Sequence, residues 1–178
     1  MSLLTKDFYA RDTLLVAKEL LGCVLCRKDG NTIYKGIIVE TEAYTEDEPS
    51  CHAYNGPTKR SLPLFGEAGT AYVYFVYGMH HCMNIVTDKK GFGSAVLIRA
   101  LEPLGETERA NGPALLCKAL KITTELNGIS MTEEASPLWV EKGKAPTEIV
   151  QTTRIGITKA ADYPWRFYIK DSPFVSKK

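Results

Sequence analysis

Residues 71–77 read Ala-Tyr-Val-Tyr-Phe-Val-Tyr, a run of β-branched and aromatic side chains that crowds a helix and suits a pleated sheet. Gly78 breaks the run, and residues 81–87 supply a partner strand. The two segments predict an antiparallel hairpin with Tyr77-Gly78-Met79-His80 near its tip. The surrounding chain repeats the theme. Residues 23–28 and 32–44 read as strands flanking a tight turn at Asp29-Gly30-Asn31, and residues 94–101 form a strand after a turn at 88–93. Short strands are expected at 138–141, 154–158 and 166–170. Residues 13–21 carry apolar side chains at helical spacing, with Asp12-Thr13 as cap candidates, Gly22 as a stop, and Leu14 and Leu21 turned to the core. Asn111-Gly112-Pro113 opens a second helix running to Leu120, with proline where a missing N–H is harmless. Strands joined by short turns, with helices at the edges, define an α+β domain built on a mainly antiparallel sheet.

A chain of 178 residues, 44% apolar and 24% charged, is expected to form one domain spanning 1–178 with a core that needs neither disulfides nor metals. No segment approaches the ~20 apolar residues of a membrane span. The first residues lack a secretion pattern, so a soluble intracellular protein is expected. The five cysteines, Cys23, Cys26, Cys51, Cys82 and Cys117, are odd in number and scattered, as free thiols in a reducing compartment would be. The net charge of +1 does not suggest a partner for duplex DNA, which usually requires a basic excess. It is unevenly spread, with nine basic and eleven acidic residues up to Lys89 and thirteen and ten from Lys90 onward.

Three local patterns carry possible chemistry. Glu40-Thr41-Glu42-Ala43-Tyr44 closes a strand whose preceding residues, Gly36-Ile37-Ile38-Val39, are apolar on both faces. Alternation puts Glu40, Glu42 and Tyr44 on one side. Taken alone, two acids and a tyrosine describe a solvated face. A carboxylate leaving a buried strand is also well placed to act as a general base. It runs into residues 45–69, a long aperiodic stretch of the kind that is often functional. The second pattern is Tyr72, Tyr74 and Tyr77. Cross-strand packing accounts for Tyr72, whereas an aromatic at a hairpin tip is suited to stacking on bases or unstacking a duplex. The third is His52, ten positions after Glu42 inside the irregular stretch. A zinc site from Cys23-x-x-Cys26 and Cys51-His52 is disfavoured, because strand geometry points Cys23 and Cys26 to opposite faces. Phosphate-loop, dinucleotide-binding, nucleophile-elbow and zinc-deaminase signatures are missing.

Together these segments resemble the alkyladenine (3-methyladenine) DNA glycosylase family. The resemblance runs through Ile38–Tyr44, Gly69–Met79, Cys82-Met83-Asn84, Leu97–Pro103, Asn111-Gly112-Pro113, Arg154-Ile155-Gly156, Arg166-Phe167-Tyr168 and Ser172–Ser176, nearly the whole chain in order. It implies a curved, mainly antiparallel sheet with flanking helices and a protruding β-hairpin. It also implies a monofunctional enzyme without a cofactor that flips damaged purines out of double-stranded DNA. The bases in question are 3-methyladenine, 7-methylguanine, hypoxanthine and ethenoadenine, and an abasic site is left. By that resemblance Glu42 is the base that activates water, and Arg99 holds the water and carboxylate. Tyr44, His52 and Tyr74 wall the pocket of the flipped base, and Asn84 disfavours the 2-amino group of guanine. Tyr77 fills the gap in the duplex, with Met79 beside it. No lysine in these segments is placed to form a Schiff base, so lyase activity is not expected. A monomer found wherever DNA is, in cytoplasm, nucleoid or nucleus, follows. Three departures stand out: His80 replaces an expected aromatic, the 103–111 connection is short, and Ala114-Leu115-Leu116-Cys117 lacks a lysine usual in the family. A different class of function, a non-catalytic lesion- or nucleic-acid-binding module of the same fold, is disfavoured by the retained Glu42 and Arg99. An enzyme acting on single strands or RNA is a third reading that the short connection and modest charge leave open.

Overall fold

A computed structural model describes residues 2–177. Its elements are α1 (Lys6–Tyr9), α2 (Thr13–Glu19), β1 (Val24–Asp29), β2 (Thr32–Thr45), β3 (Ala71–Val76), β4 (His80–Val86), β5 (Ser94–Leu104), α3 (Pro113–Ala119), β6 (Leu138–Glu141), β7 (Ile149–Thr152) and β8 (Arg166–Ile169), with 3-10 turns at Leu62–Phe65 and Thr124–Leu126. The strands form one curled antiparallel sheet in the order β3-β4-β5-β2-β1-β6. The long β2 is its spine. One edge pairs with β5 over Lys35–Thr45; the other pairs with β1 over Thr32–Ile37 and with β8 over Glu40–Glu42.

The predicted turns recur with their chemistry. Asp29 faces Thr32 across a two-residue hairpin whose first residue, Gly30, has φ +58°, a left-handed value glycine adopts without a steric cost. Asp12 caps α2 by accepting the Leu15 N–H at 2.9 Å. Val16, Ala17, Leu20 and Leu21 pack into the main core, with Leu14 half-buried beside them. That core lies between the sheet and the two helices α2 and α3. The short 103–111 connection folds back on the sheet: the Lys35 N–H donates to Thr107 Oγ1 at 3.1 Å and the Leu101 N–H to the Ala110 carbonyl at 2.9 Å.

The expected strand at 154–158 does not form; Ile149–Thr152 is the strand instead, pairing with β8. The Arg-Ile-Gly-Ile composition suits a strand, but Gly156 turns at φ +77° and the Arg154 guanidinium is drawn into the interior. The Ile155 N–H donates to a side chain, not to a neighbouring strand. Strict alternation along β2 also fails. The β2–β5 register slips at two places, leaving Val39 and then Arg99 without partners across the ladder. Ile38, Ala43 and Ile98 face the main core, while Val39 and Ala100 pack in a separate cluster with Val175. The bulge at Val39 therefore sends Glu40 and Glu42 away from the core shared by Ile38. Bulges re-aim side chains in this way and concentrate near functional sites.

Candidate active site

On the face that the bulges create, Glu42 is fully buried in the centre of the sheet. Its carboxylate is held by two hydrogen-bond donors and one ion pair. The Ile155 N–H donates to Oε1 at 2.8 Å and the Tyr44 hydroxyl to Oε2 at 2.7 Å, and Arg99 Nη1 lies 3.3 Å from Oε2. Burial raises the Tyr44 phenol, and the adjacent Glu42 charge raises it further, so the hydroxyl stays protonated and donates. Arg99 bridges the two acids of the motif, its Nε donating to Glu40 Oε1 at 3.1 Å. Burial opposes its charge, but Glu42 and Glu40 outweigh that and push its pKa up. Glu40 is consumed by structure: Arg166 Nε donates to it at 2.7 Å, and the Ser176 N–H and hydroxyl donate at 2.6 and 2.9 Å. Two carboxylates and two guanidiniums thus balance in one buried cluster. A carboxylate offers about four acceptor positions; among the described residues Glu40 has four polar contacts and Glu42 three, with a single donor on Glu42 Oε1.

Beside this cluster opens a cavity of about 370 Å³, a size in the usual range for small-molecule sites. Tyr44, His52, Tyr72, Tyr74, Asn84 and Arg99 line it, with Ile155, Gly156 and Ile157 on the wall supplied by the misread segment. Tyr72 and Tyr74 stack tilted, with ring centroids 5.3 Å apart, and His52 meets Tyr74 edge-on at 4.7 Å. His52 sits at the exposed mouth, its Nδ1 sharing a 2.9 Å hydrogen bond with the Tyr72 hydroxyl. Desolvation and the nearby Arg60 charge lower its pKa to about 4, so the ring is neutral at neutral pH. Asn84 is buried on β4, and its Nδ2 donates to the Tyr72 carbonyl at 3.1 Å.

Tyr77 stands at the rim at the tip of the β3–β4 hairpin, 91% exposed and left-handed at φ +52°. Such a conformation is uncommon for a bulky residue and is reached here because Gly78, at φ +67°, completes the three-residue loop. Met79 is also exposed, but it faces a neighbouring groove between the hairpin and α3, with His80, His81 and Lys118.

The structure therefore brings Arg99, Tyr44, His52, Tyr74 and Asn84 to one cavity, buries Glu42 directly behind its Tyr44 and Arg99 walls, sets Tyr77 at its rim and places Met79 outside it. Tyr72, which packing alone was expected to explain, is both buried and part of the cavity wall. Sequence reasoning also missed a buried pair, Arg154 and Glu48, at 2.7 Å. An arginine inside a strand-like segment was the one signal available for it. All five cysteines are free and buried, with Cys23 in the main core and Cys26 turned to Lys35 and Glu141. Among the described residues no helix is long and apolar enough to cross a membrane.

Comparison with known proteins identifies the family. A protein of Carboxydothermus hydrogenoformans, provisionally named a 3-methyladenine DNA glycosylase, is 49% identical over 99% of this chain and all of its own length. Proteins with the same provisional name from Methanoculleus marisnigri and Legionella pneumophila are 49% and 47% identical, covering 96% and 99% of the chain and 97% and 100% of their own lengths. Residues 7–173 match the family described as methylpurine-DNA glycosylase, and the chain belongs to that family.

Proposed function

We propose that this chain is a monofunctional DNA glycosylase that hydrolyses the N-glycosidic bond of alkylated or deaminated purines flipped from double-stranded DNA. The observation that carries this reading is the buried Glu42 carboxylate, held by Arg99, Tyr44 and the Ile155 amide, all three of which line an aromatic cavity. Glu40 is engaged by Arg99, Arg166 and Ser176, of which only Arg99 lines the cavity. Glu42 lies behind two cavity-wall residues with a single donor on Oε1, which can accept from a water molecule.

The chemistry follows from that arrangement. Tyr77 enters the duplex and fills the space of the extruded nucleotide, a step that costs least for a damaged or mispaired base. The base stacks against the walls formed by Tyr44, Tyr74 and His52. Asn84 cannot swing aside from the 2-amino group of a normal guanine, because its amide is tied to the Tyr72 carbonyl. As the bond from C1′ to the base nitrogen lengthens, positive charge grows on the sugar and the bonding electrons leave with the base. Glu42 stabilises that charge and takes a proton from the water whose oxygen bonds to C1′. Arg99 holds the carboxylate ionised and in place. A cationic alkylated base departs neutral and the proton on Glu42 passes to solvent, whereas a neutral lesion departs as an anion and takes up a proton from solvent; the products are a free purine and an abasic site. A monomer acting without a cofactor or a Schiff-base lysine suffices for this sequence of steps.

The test is single-turnover base release from duplex oligonucleotides carrying hypoxanthine or 7-methylguanine, with wild type and Glu42→Gln. The expected result is release by the wild type and a loss of at least about a hundredfold in the variant, the scale of a general base. An equal rate in Glu42→Gln removes the assigned role, and no release by wild type from either duplex removes the hydrolytic reading.

A further inference from the structure

Resting on the hydrolytic reading above, we propose that Arg154 is a positioning residue: from beneath the cavity, neutralised by Glu48, it fixes the Ile155 amide on Glu42 and the Tyr44 ring in the cavity wall. Its guanidinium is wholly enclosed, and both terminal nitrogens are engaged while Nε has no hydrogen-bond partner among the described residues. Nη1 donates to Glu48 Oε1 at 2.7 Å and to the carbonyl of Ala43, between Glu42 and Tyr44, at 2.9 Å. Nη2 donates to Glu48 Oε2 and to the Ala160 carbonyl, each at 3.2 Å. The planar group also lies 4.6 Å from the Tyr44 ring centroid and 5.2 Å from that of Trp165. Glu48 is fixed in turn by the Ser50 N–H and hydroxyl, at 2.8 and 2.6 Å.

The consequence is geometric. Residues 155–157 have no strand partner to hold them against the cavity. What fixes their beginning is the preceding side chain, anchored at once to β2, to the loop after it and to Ala160. The same anchor backs the Tyr44 ring, whose hydroxyl is the second donor to Glu42. Two of the three groups that orient the carboxylate therefore depend on one guanidinium. Lysine has the charge but neither the fork nor the flat face, so it replaces this residue only in part.

Amide hydrogen exchange followed by NMR separates positioning from general stabilisation. In Arg154→Met the Ile155 amide should exchange at least about tenfold faster relative to the central amides of β5, because its carboxylate partner is lost locally. Single-turnover release from the hypoxanthine duplex should fall by about 100-fold, the cost of a misplaced catalytic group, while affinity for a duplex carrying an uncleavable abasic-site analogue stays within about threefold. Arg154→Lys should recover part of both losses, and it carries the measurement if Arg154→Met does not fold. Exchange that speeds uniformly across the core would reduce Arg154 to a structural residue and overturn the proposal; so would local loosening at Ile155 with an unchanged rate. If wild type releases no base, the hydrolytic reading falls, while an Ile155 amide that stays protected in the variants shows separately that Arg154 does not position it.

Discussion

Replacing Glu48 with glutamine keeps the shape of the side chain and deletes its charge. The Arg154 guanidinium opposite has a side-chain exposure of 0%, and Glu48 has 1%. Arginine does not deprotonate in proteins, so in Glu48→Gln a full positive charge stays in the interior. Two carbonyls, Ala43 and Ala160, and the faces of Tyr44 and Trp165 remain as its partners. Breaking one side of a buried pair costs about 3–5 kcal/mol, and a desolvated cation over aromatic faces recovers up to about 2 kcal/mol. Those faces are already engaged in the wild type and recover nothing further on substitution, so the expected loss is at least about 3 kcal/mol. In urea, with a slope of about 1–3 kcal/mol per molar, the midpoint should drop by about 1–3 M at an unchanged slope. The double variant Glu48→Gln/Arg154→Met, which removes the stranded charge, should recover much of the loss, giving a coupling energy above about 1 kcal/mol. A loss below about 1 kcal/mol in Glu48→Gln, or a double variant whose losses simply add, would refute the reasoning, since it would mean that water or another group already compensates Arg154.

Tyr77→Ala should leave the urea midpoint unchanged, because the side chain is 91% exposed, and weaken binding to lesion duplexes by tenfold or more by fluorescence anisotropy, using about 1–3 kcal/mol for a stacked aromatic. Tyr44→Phe removes one charge-assisted hydrogen bond to Glu42, worth about 1.5–3 kcal/mol, and should slow single-turnover release by about ten- to a hundredfold with the pocket wall intact. His52 should titrate by NMR near its lowered pKa of about 4, far below the ordinary 6.5. Its folded pKa lies below the unfolded one, so the unfolded state takes the proton first, and the His52 contribution to stability is present above pH 6.5 and declines toward pH 4. An ordinary midpoint for His52 would show that its ring is not desolvated against Tyr72 and Tyr74.

The hairpins were legible because their signals are local. A β-branched and aromatic run, a glycine able to take positive φ and a second run specify β3–β4 and β1–β2 without reference to the rest of the chain. The convergence of Glu42 with Arg99 came from resemblance, since 56 intervening residues give no spacing rule for it. Two features left no local mark. A register slip is a relation between two strands, so the bulges at Val39 and Arg99 were invisible in either strand alone, although they decide which way Glu40 and Glu42 point. The segment after Thr152 misled for the opposite reason. Its composition is that of a strand, but a buried ion pair with Glu48 and the turn at Gly156 override propensity. The true strand, Ile149–Thr152, is at most half-buried, and its alternation is correspondingly weak.

The net charge of +1 loses its force against DNA binding once the charges are placed. Many of the acids are engaged in ion pairs: Glu40, Glu42 and Glu48 in the interior, and Glu19, Asp29, Glu67, Glu141 and Glu148 with lysines or arginines on the periphery. Among the described residues, no aspartate or glutamate lines the cavity or the groove between the hairpin and α3. The ionisable nitrogen groups there are Arg99 and His52 in the cavity, and His80, His81, Lys118 and Lys121 in the groove, while Arg60 lies 5.0 Å from the Tyr74 ring centroid. Charges farther away than about 8 Å are largely screened at physiological ionic strength. A phosphate approaching Tyr77 therefore meets a surface whose lining carries no acid, with Glu42 behind it neutralised by Arg99, and not the sum over the whole chain. Overall composition averaged over both, and for that reason it argued against a partner that this one face can accommodate.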